Sequence, residues 1–222
     1  MKKKLWNICR RVLSILLNLA VVWMEPIAAR LSWEAVGTQM FTFYTENSNF
    51  FTAGVCLLMA LAQLKALLTG REIPRWIKRL KYVATCCLTM TFLTVVLVLA
   101  PYYKDEGGVV FLLTASSMLY HHLLNPLCAF VSYTLFEREP QLSGRNVFCA
   151  LIPTILYGSI AVYANVQRWI TGPYPFLMIY EQTFRQSMEW LVAILCMNLF
   201  YAWLVWKAGG SKKHHPGLLF RR

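Results

Sequence analysis

Two groups of residues in this chain have the types and spacing that chemistry needs. One is the run Thr45-Glu46-Asn47-Ser48-Asn49, set in an otherwise apolar stretch. The other is the adjacent pair His121-His122, in the middle of LLTASSMLYHHLLNPLCAFVSYTLF. Nucleophilic catalysis needs a hydroxyl and a base within hydrogen-bond reach. Thr45 with a histidine of the pair meets that requirement by residue type, and Glu46 or Glu189 can orient or charge-balance the imidazole as the third member of a triad does. A metal site would also use histidines and a glutamate, but adjacent histidines on a helix splay apart, unlike the i, i+3 or i, i+4 pairs that share one ion. No metal or other cofactor is therefore expected. The same Glu and His residues can serve a proton relay, although no inverted repeat or paired broken helix marks a transporter. The chain has no Gly-x-Ser-x-Gly elbow and no phosphate-binding glycine loop.

Helical periodicity says which polar residues share a face. Thr45, Ser48, Asn49 and Thr52 follow i, i+3, i+4, i+7, with Glu46 at the margin of the stripe. Ser117, His121, Asn125 and Cys128 line a second stripe, and His122 lies about 100° round the helix from His121. Gln182, Gln186 and Glu189 suggest a third, and Asn18 and Glu25 lie seven apart on the first apolar segment. Ser, Thr, Asn and His in membrane helices often do no more than bond across helix interfaces, which accounts for Ser48, Asn49, Ser117 and Asn125 as readily as function does. It accounts less well for Glu46 and the histidines, whose burial is costlier.

The elements that must position these groups are apolar helices. Of the 222 residues, 58% are hydrophobic and 14% charged, against about 25% charged in a soluble domain. Segments 12–29, 40–68, 82–103, 111–136, 147–166 and 184–206 are each near the roughly 20 residues that cross a bilayer. The expected fold is all-α: a six-helix membrane domain over residues 1–208 and a basic tail over 209–222. The net charge of +12 is a topology signal. Of the 22 Lys and Arg residues, all but Arg30, Lys104, Arg168 and Arg185 fall on the side of both termini, which the positive-inside rule places in the cytoplasm. In that count Lys81 belongs to the inner loop between the second and third spans. Attraction to anionic lipid heads is a secondary role for the charge, and nucleic acid is not an expected partner.

With that orientation the second, fourth and sixth spans run the same way. At about 1.5 Å per residue, Thr45 and Glu189 lie roughly 8 Å into their spans and the histidines roughly 15 Å into theirs, so all can converge on one outward-opening cavity beneath the loop Thr171-Gly172-Pro173-Tyr174-Pro175-Phe176-Leu177. The seven cysteines follow no CxxC pattern and read as small packing residues; Cys128 is the one best placed for catalysis. MKKK followed by an apolar run resembles a signal peptide, but Glu25 and Pro26 interrupt it, and an uncleaved first helix is expected. Trp33, Trp76, Trp169 and Trp206 fall near span ends as interfacial anchors. His214 and His215 in the tail read as solvated residues.

The sequence resembles the androgen-induced integral membrane proteins and their bacterial relatives. The matching pieces are Phe43-Tyr44-Thr45-Glu46-Asn47-Ser48-Asn49, His121-His122-Leu123-Leu124-Asn125-Pro126 and Gly172-Pro173-Tyr174-Pro175-Phe176-Leu177, in the same order and on a six-helix plan. Animal members hydrolyse fatty-acid esters of hydroxy fatty acids with a threonine nucleophile and a histidine in the membrane. The resemblance implies a membrane-embedded lipid ester hydrolase with Thr45 as nucleophile and a lipid or fatty-acyl substrate, in a bacterial cytoplasmic membrane. The base maps to His121 on the animal spacing to Pro126 and to His122 on the bacterial one. Glu46 departs from the family, where this position is usually apolar or an amide. Acyl transfer is a neighbouring chemistry, and a non-catalytic lipid- or small-molecule-binding protein or a proton-coupled transporter is the competing class.

Overall fold

The structure, a computed structural model, describes residues 2–138 and 142–210, with the side chains of residues 2–4 and 210 left out. His214 and His215 lie outside the described residues. These residues form helices joined by turns, with no strand among them. α1 (Lys2–Val36) leads through a 3-10 segment (Gly37–Thr42) into α2 (Tyr44–Thr69). α3 (Arg75–Thr94) continues through a π segment (Val95–Leu99) to a last turn at Tyr102. Then come α4 (Gly108–Thr114), a π segment (Leu119–Leu124), α5 (Asn125–Val131) and a further π segment (Ser132–Phe136). α6 (Asn146–Cys149), α7 (Leu151–Val166) and α8 (Phe184–Gly210) complete the chain.

Among the described residues, five helices are long and apolar enough to cross a membrane: Leu5–Thr42, Tyr44–Thr69, Arg75–Tyr102, Asn146–Val166 and Phe184–Gly209. The expected span 111–136 is not one of them, because it is not one helix. α4 stops at Thr114, Ser116 takes a left-handed φ of 47°, and the chain becomes helical again as a π segment. Pro126 sits just beyond that segment. A proline inside a helix has no N–H to give and crowds the preceding turn, and a π bulge is one way a helix absorbs the misfit. α1 is longer than the expected 12–29, and Pro26 does not end it.

Trp23, Leu97, Leu127, Ile152, Ile160 and Val192 face outward, whereas Asn18, Glu25, Glu46, Lys81, His121 and Asn125 are buried. This is a soluble protein's arrangement reversed. Where the surroundings are lipid, apolar burial gives little net drive, and side-chain packing and inter-helix hydrogen bonds hold the helices together. Tyr82, Tyr133, Ala202 and Val205 pack near one end of the bundle. Val95, Leu99 and Leu112 pack at the other, against Tyr174 and Phe176 of the loop before α8.

Candidate functional site

Thr45 lies in the first turn of α2, which starts sharply because Phe43 is extended (φ −91°, ψ 139°) between the 3-10 segment and the helix. The first N–H groups of a helix have no partner within it, and the Thr45 N–H donates instead to the Tyr174 hydroxyl at 3.2 Å. The Thr45 hydroxyl contacts Tyr174 Oη at 3.3 Å and His122 Nε2 at 3.4 Å.

The break in the fourth segment fixes the state of His122. Leu112 is in the last turn of α4, where carbonyls lose their helical donors. With the chain turning at Ser116, the Leu112 oxygen lies 2.6 Å from His122 Nδ1. A carbonyl can only accept, so Nδ1 carries the proton. In neutral imidazole the other nitrogen then has a free lone pair, and that nitrogen, Nε2, faces the Thr45 hydroxyl. The hydroxyl donates to Nε2, and the Tyr174 hydroxyl donates to Thr45 Oγ1.

His121 points elsewhere. Its Nε2 is 3.4 Å from Glu25 Oε1 and its Nδ1 3.9 Å from Glu46 Oε1. Ser32 donates to Glu46 Oε1 at 3.2 Å, and the Asn125 amide donates to Glu25 Oε2 and Asn49 Oδ1, each at 3.0 Å. Asn49 in turn donates to the carbonyls of Thr45 (2.8 Å) and His121 (3.2 Å), tying the start of α2 to the π segment. Ser48 shares a 3.1 Å contact with Thr91 of α3. The stripe Thr45–Ser48–Asn49–Thr52 is buried throughout.

Glu189 does not join the site. Its carboxylate pairs with Arg185 at 2.8 Å, with side chains 59% and 89% exposed. The stripe Gln182–Gln186–Glu189 is instead the start of a helix. The Thr183 N–H and hydroxyl donate to Gln186 Oε1, and the Gln186 N–H donates to Thr183 Oγ1, which is a capping box. The amides of the Asn47–Asn49 segment are also occupied: Asn47 donates to the carbonyls of Phe41 and Phe43. All seven cysteines are free thiols, and Cys128 is only half-buried. No group of three or more His, Cys, Asp or Glu suited to a metal occurs among the described residues.

The loop that delivers Tyr174 depends on Gly172. Its φ is +94°, and a Cβ there would lie 2.6 Å from the Leu177 carbonyl oxygen, so the loop closes on itself only with glycine. Tyr174 stacks on Phe176 (5.1 Å) and meets Phe43 edge-on (6.0 Å). Burial beneath this loop raises the phenol above its usual pKa; the Thr45 hydroxyl acts the other way, and nearby Glu46 adds to the rise.

Thr45 and Tyr174 form part of the wall of a cavity of about 830 Å³ between α2, α3, α7 and α8. Val95, Leu99, Ile155, Leu191 and Ile194 are among its mostly apolar lining. A separate polar tie crosses the wall. Tyr44 contacts Thr154 at 3.2 Å and Asn198 donates to the same Thr154 hydroxyl. Asn198 inside the apolar last helix was the sequence signal for it.

Lys81 is the largest departure from expectation. It lies in α3 and is fully buried, donating to Asn18 Oδ1 at 2.6 Å and contacting Cys56 Sγ at 3.1 Å. Glu137 Oε2 is 3.9 Å from its amine, and Glu137 Oε1 accepts from Ser14 (2.7 Å), Ser132 (2.5 Å) and Asn18.

No protein-family model, no curated protein and no solved structure matches this chain.

Proposed function

We propose that the protein is a multi-pass membrane ester hydrolase acting on lipid or fatty-acyl esters, with Thr45 as nucleophile and His122 as base. The observation that carries this is the Thr45 hydroxyl 3.4 Å from the bare Nε2 of a histidine whose Nδ1–H is held by the Leu112 carbonyl, at the wall of an apolar cavity. A nucleophile–base contact is often this loose before substrate binds. The broken segment 111–136 supplies the sixth crossing, and the basic asymmetry places both termini in the cytoplasm.

In the proposed reaction the acyl chain lies in the cavity with its ester carbon at Thr45 Oγ1. As Oγ1 bonds to that carbon, its proton passes to His122 Nε2. The resulting imidazolium returns the proton to the departing alkoxide as the acyl–oxygen bond breaks, and the alcohol leaves. Water then attacks the acyl-threonine while giving a proton to Nε2, and as the acyl–Oγ1 bond breaks the imidazolium returns that proton to Thr45 Oγ1 and the acid leaves. Charge grows on the carbonyl oxygen during both steps. The Asn47 and Asn49 amides already have partners, so the Tyr174 hydroxyl is the better donor to that oxygen, aided by the positive end of α2.

A fluorophosphonate probe tests this on purified protein. Attack by Oγ1 on phosphorus would displace fluoride and leave a stable adduct. We expect labelling of wild type and none of Thr45→Ala. Labelling that persists in Thr45→Ala, or wild type that neither labels nor cleaves any acyl ester, would reject the hydrolase. A second proposal, a proton-coupled carrier, draws on the Glu25–His121–Glu46 cluster. It requires proton uptake into proteoliposomes that Glu25→Gln abolishes.

A further inference from the structure

A second, smaller pocket of about 200 Å³ lies at the opposite, basic end of the bundle. Arg10 and Arg11 of α1, Lys78 of α3 and Arg138 line it, together with Gln63, Glu72 and Glu137. The Glu137 charge is offset by Lys81, whose amine lies 3.9 Å from its Oε2, an oxygen with no hydrogen-bond partner among the described residues. Glu72 alone then opposes the cations. Neighbouring Arg10 and Arg11 lie half-buried side by side. Arg11 Nη1 donates to the neutral Gln63 Oε1 at 2.8 Å, while Arg10 Nε is buried and has no hydrogen-bond partner among the described residues. Buried donors are nearly always satisfied, so this one points to a ligand acceptor.

The level of the pocket says where such an acceptor comes from. Trp6 on α1 and Trp76 on α3, 60% and 54% exposed, flank it at the ends of their helices. Exposed indoles of this kind mark the headgroup level of a bilayer. Leu5 and Leu68, both exposed at the same end, offer apolar surface beside it. Basic pockets between helices at this level suit lipid head groups, and guanidinium groups match phosphate oxygens in fork geometry.

We propose that this pocket binds the phosphate of a lipid headgroup, at a site separate from the Thr45 cavity. Arg10 and Arg11 are the principal donors, with Arg138 at the exposed rim. The ligand chemistry is a phosphate oxyanion, and the lipid is its source because the pocket sits at the headgroup level with apolar surface alongside.

The test is thermal unfolding of the full-length protein in a neutral detergent, titrated with dihexanoylphosphatidylglycerol, with dihexanoylglycerol and with inorganic phosphate. Wild type should be stabilised saturably by the phospholipid and not by the phosphate-free diglyceride. With about 1 kcal/mol per arginine near a membrane surface, Arg10→Gln/Arg11→Gln should bind about 30-fold more weakly, and Arg10→Lys/Arg11→Lys should keep most of the response. Should the double glutamine variant fold poorly, Arg138→Gln at the rim should still weaken binding several-fold. Equal stabilisation by the diglyceride, or an unchanged response in the folded glutamine variants, would overturn the site. A full response to inorganic phosphate alone would overturn the lipid assignment in favour of a soluble anion. None of these readouts involves Thr45, so the hydrolase proposal stands or falls separately.

Discussion

At the basic end of the bundle, Glu137 Oε1 receives hydrogen bonds from Ser14, Asn18 and Ser132, and the Lys81 amine has Asn18 and Cys56 as well as Glu137. At the other end, Glu25 Oε1, Glu46 Oε2 and His121 Nε2 are buried without a hydrogen-bond partner, as Glu137 Oε2 is at the basic end, but here Thr45 borders an apolar cavity. Both regions bury charge among α1, α2, α3 and the broken fourth segment. Burying an ion is tolerated where partners and further hydrogen bonds take up its lone pairs and protons, which is the condition at Lys81. At the Thr45 end, by contrast, a hydroxyl with a histidine beside it borders a space for a ligand. The contrast assigns stability to one region and chemistry to the other.

The sharpest way to break that assignment is at Thr45 and His122. Removing a nucleophile or its base lowers turnover by about 10⁴-fold or more. Thr45→Ala and His122→Ala should each do so, while thermal unfolding in detergent moves little, since each change deletes only one or two hydrogen bonds of about 1 kcal/mol. Thr45→Ser should retain some turnover. A parallel collapse of melting temperature and turnover would make Thr45 a packing residue like its neighbours Ser48 and Thr52.

Lys81→Met should behave in the opposite sense. Removing one partner of a buried ion pair costs about 3–5 kcal/mol, because the other is left charged and alone. Yield and unfolding temperature should fall, while probe labelling per folded molecule is unchanged. Lys81→Met/Glu137→Gln should recover part of the loss. His121→Ala belongs with this group: it strands Glu25 and Glu46, and its first effect should be on unfolding. Loss of labelling in the folded Lys81→Met protein would show the two regions to be coupled.

Tyr174→Phe should be intermediate. Removing one donor to a developing oxyanion costs about 10²–10³-fold in turnover, with little change in labelling stoichiometry. The phenol also gives a pH signature. Its pKa is higher in the folded protein than the roughly 10 of a free tyrosine. Between those values the folded state holds a proton that the unfolded state releases, so this contribution to stability is complete below pH 10 and is lost as pH rises beyond it. Tyr174→Phe should make the alkaline fall shallower.

Much of the architecture was legible because apolar length and polar spacing are local. α2, α7 and α8 lie close to the expected segments, and the buried stripe on α2 is where periodicity put it. The expected span 111–136 misled because hydropathy averages over it and does not register a left-handed Ser116 or a π turn. That break supplies the Leu112 carbonyl, so the orientation of His122 rests on a backbone atom with no side-chain signature. Lys81 misled for the reverse reason. Charge suggests solvent, and only the pairing with Glu137, more than fifty residues away, makes its burial tolerable.

The smallest expected effect separates the two carboxylates that the sequence offered for the third place in a triad. Glu46 is buried within 3.9 Å of His121 Nδ1, and Glu189 is exposed beside Arg185. Exposed i, i+4 pairs often contribute nothing measurable, so Glu189→Gln should leave unfolding temperature, probe labelling and turnover at wild-type values. Glu46→Gln removes a charge next to both Thr45 and His121, while an amide can still accept from Ser32. It should therefore shift the pH dependence of labelling even where the protein remains folded. If Glu189→Gln moved that profile and Glu46→Gln did not, the carboxylate acting on the site would be the one at the surface, and the two-region division would have to be redrawn around α8.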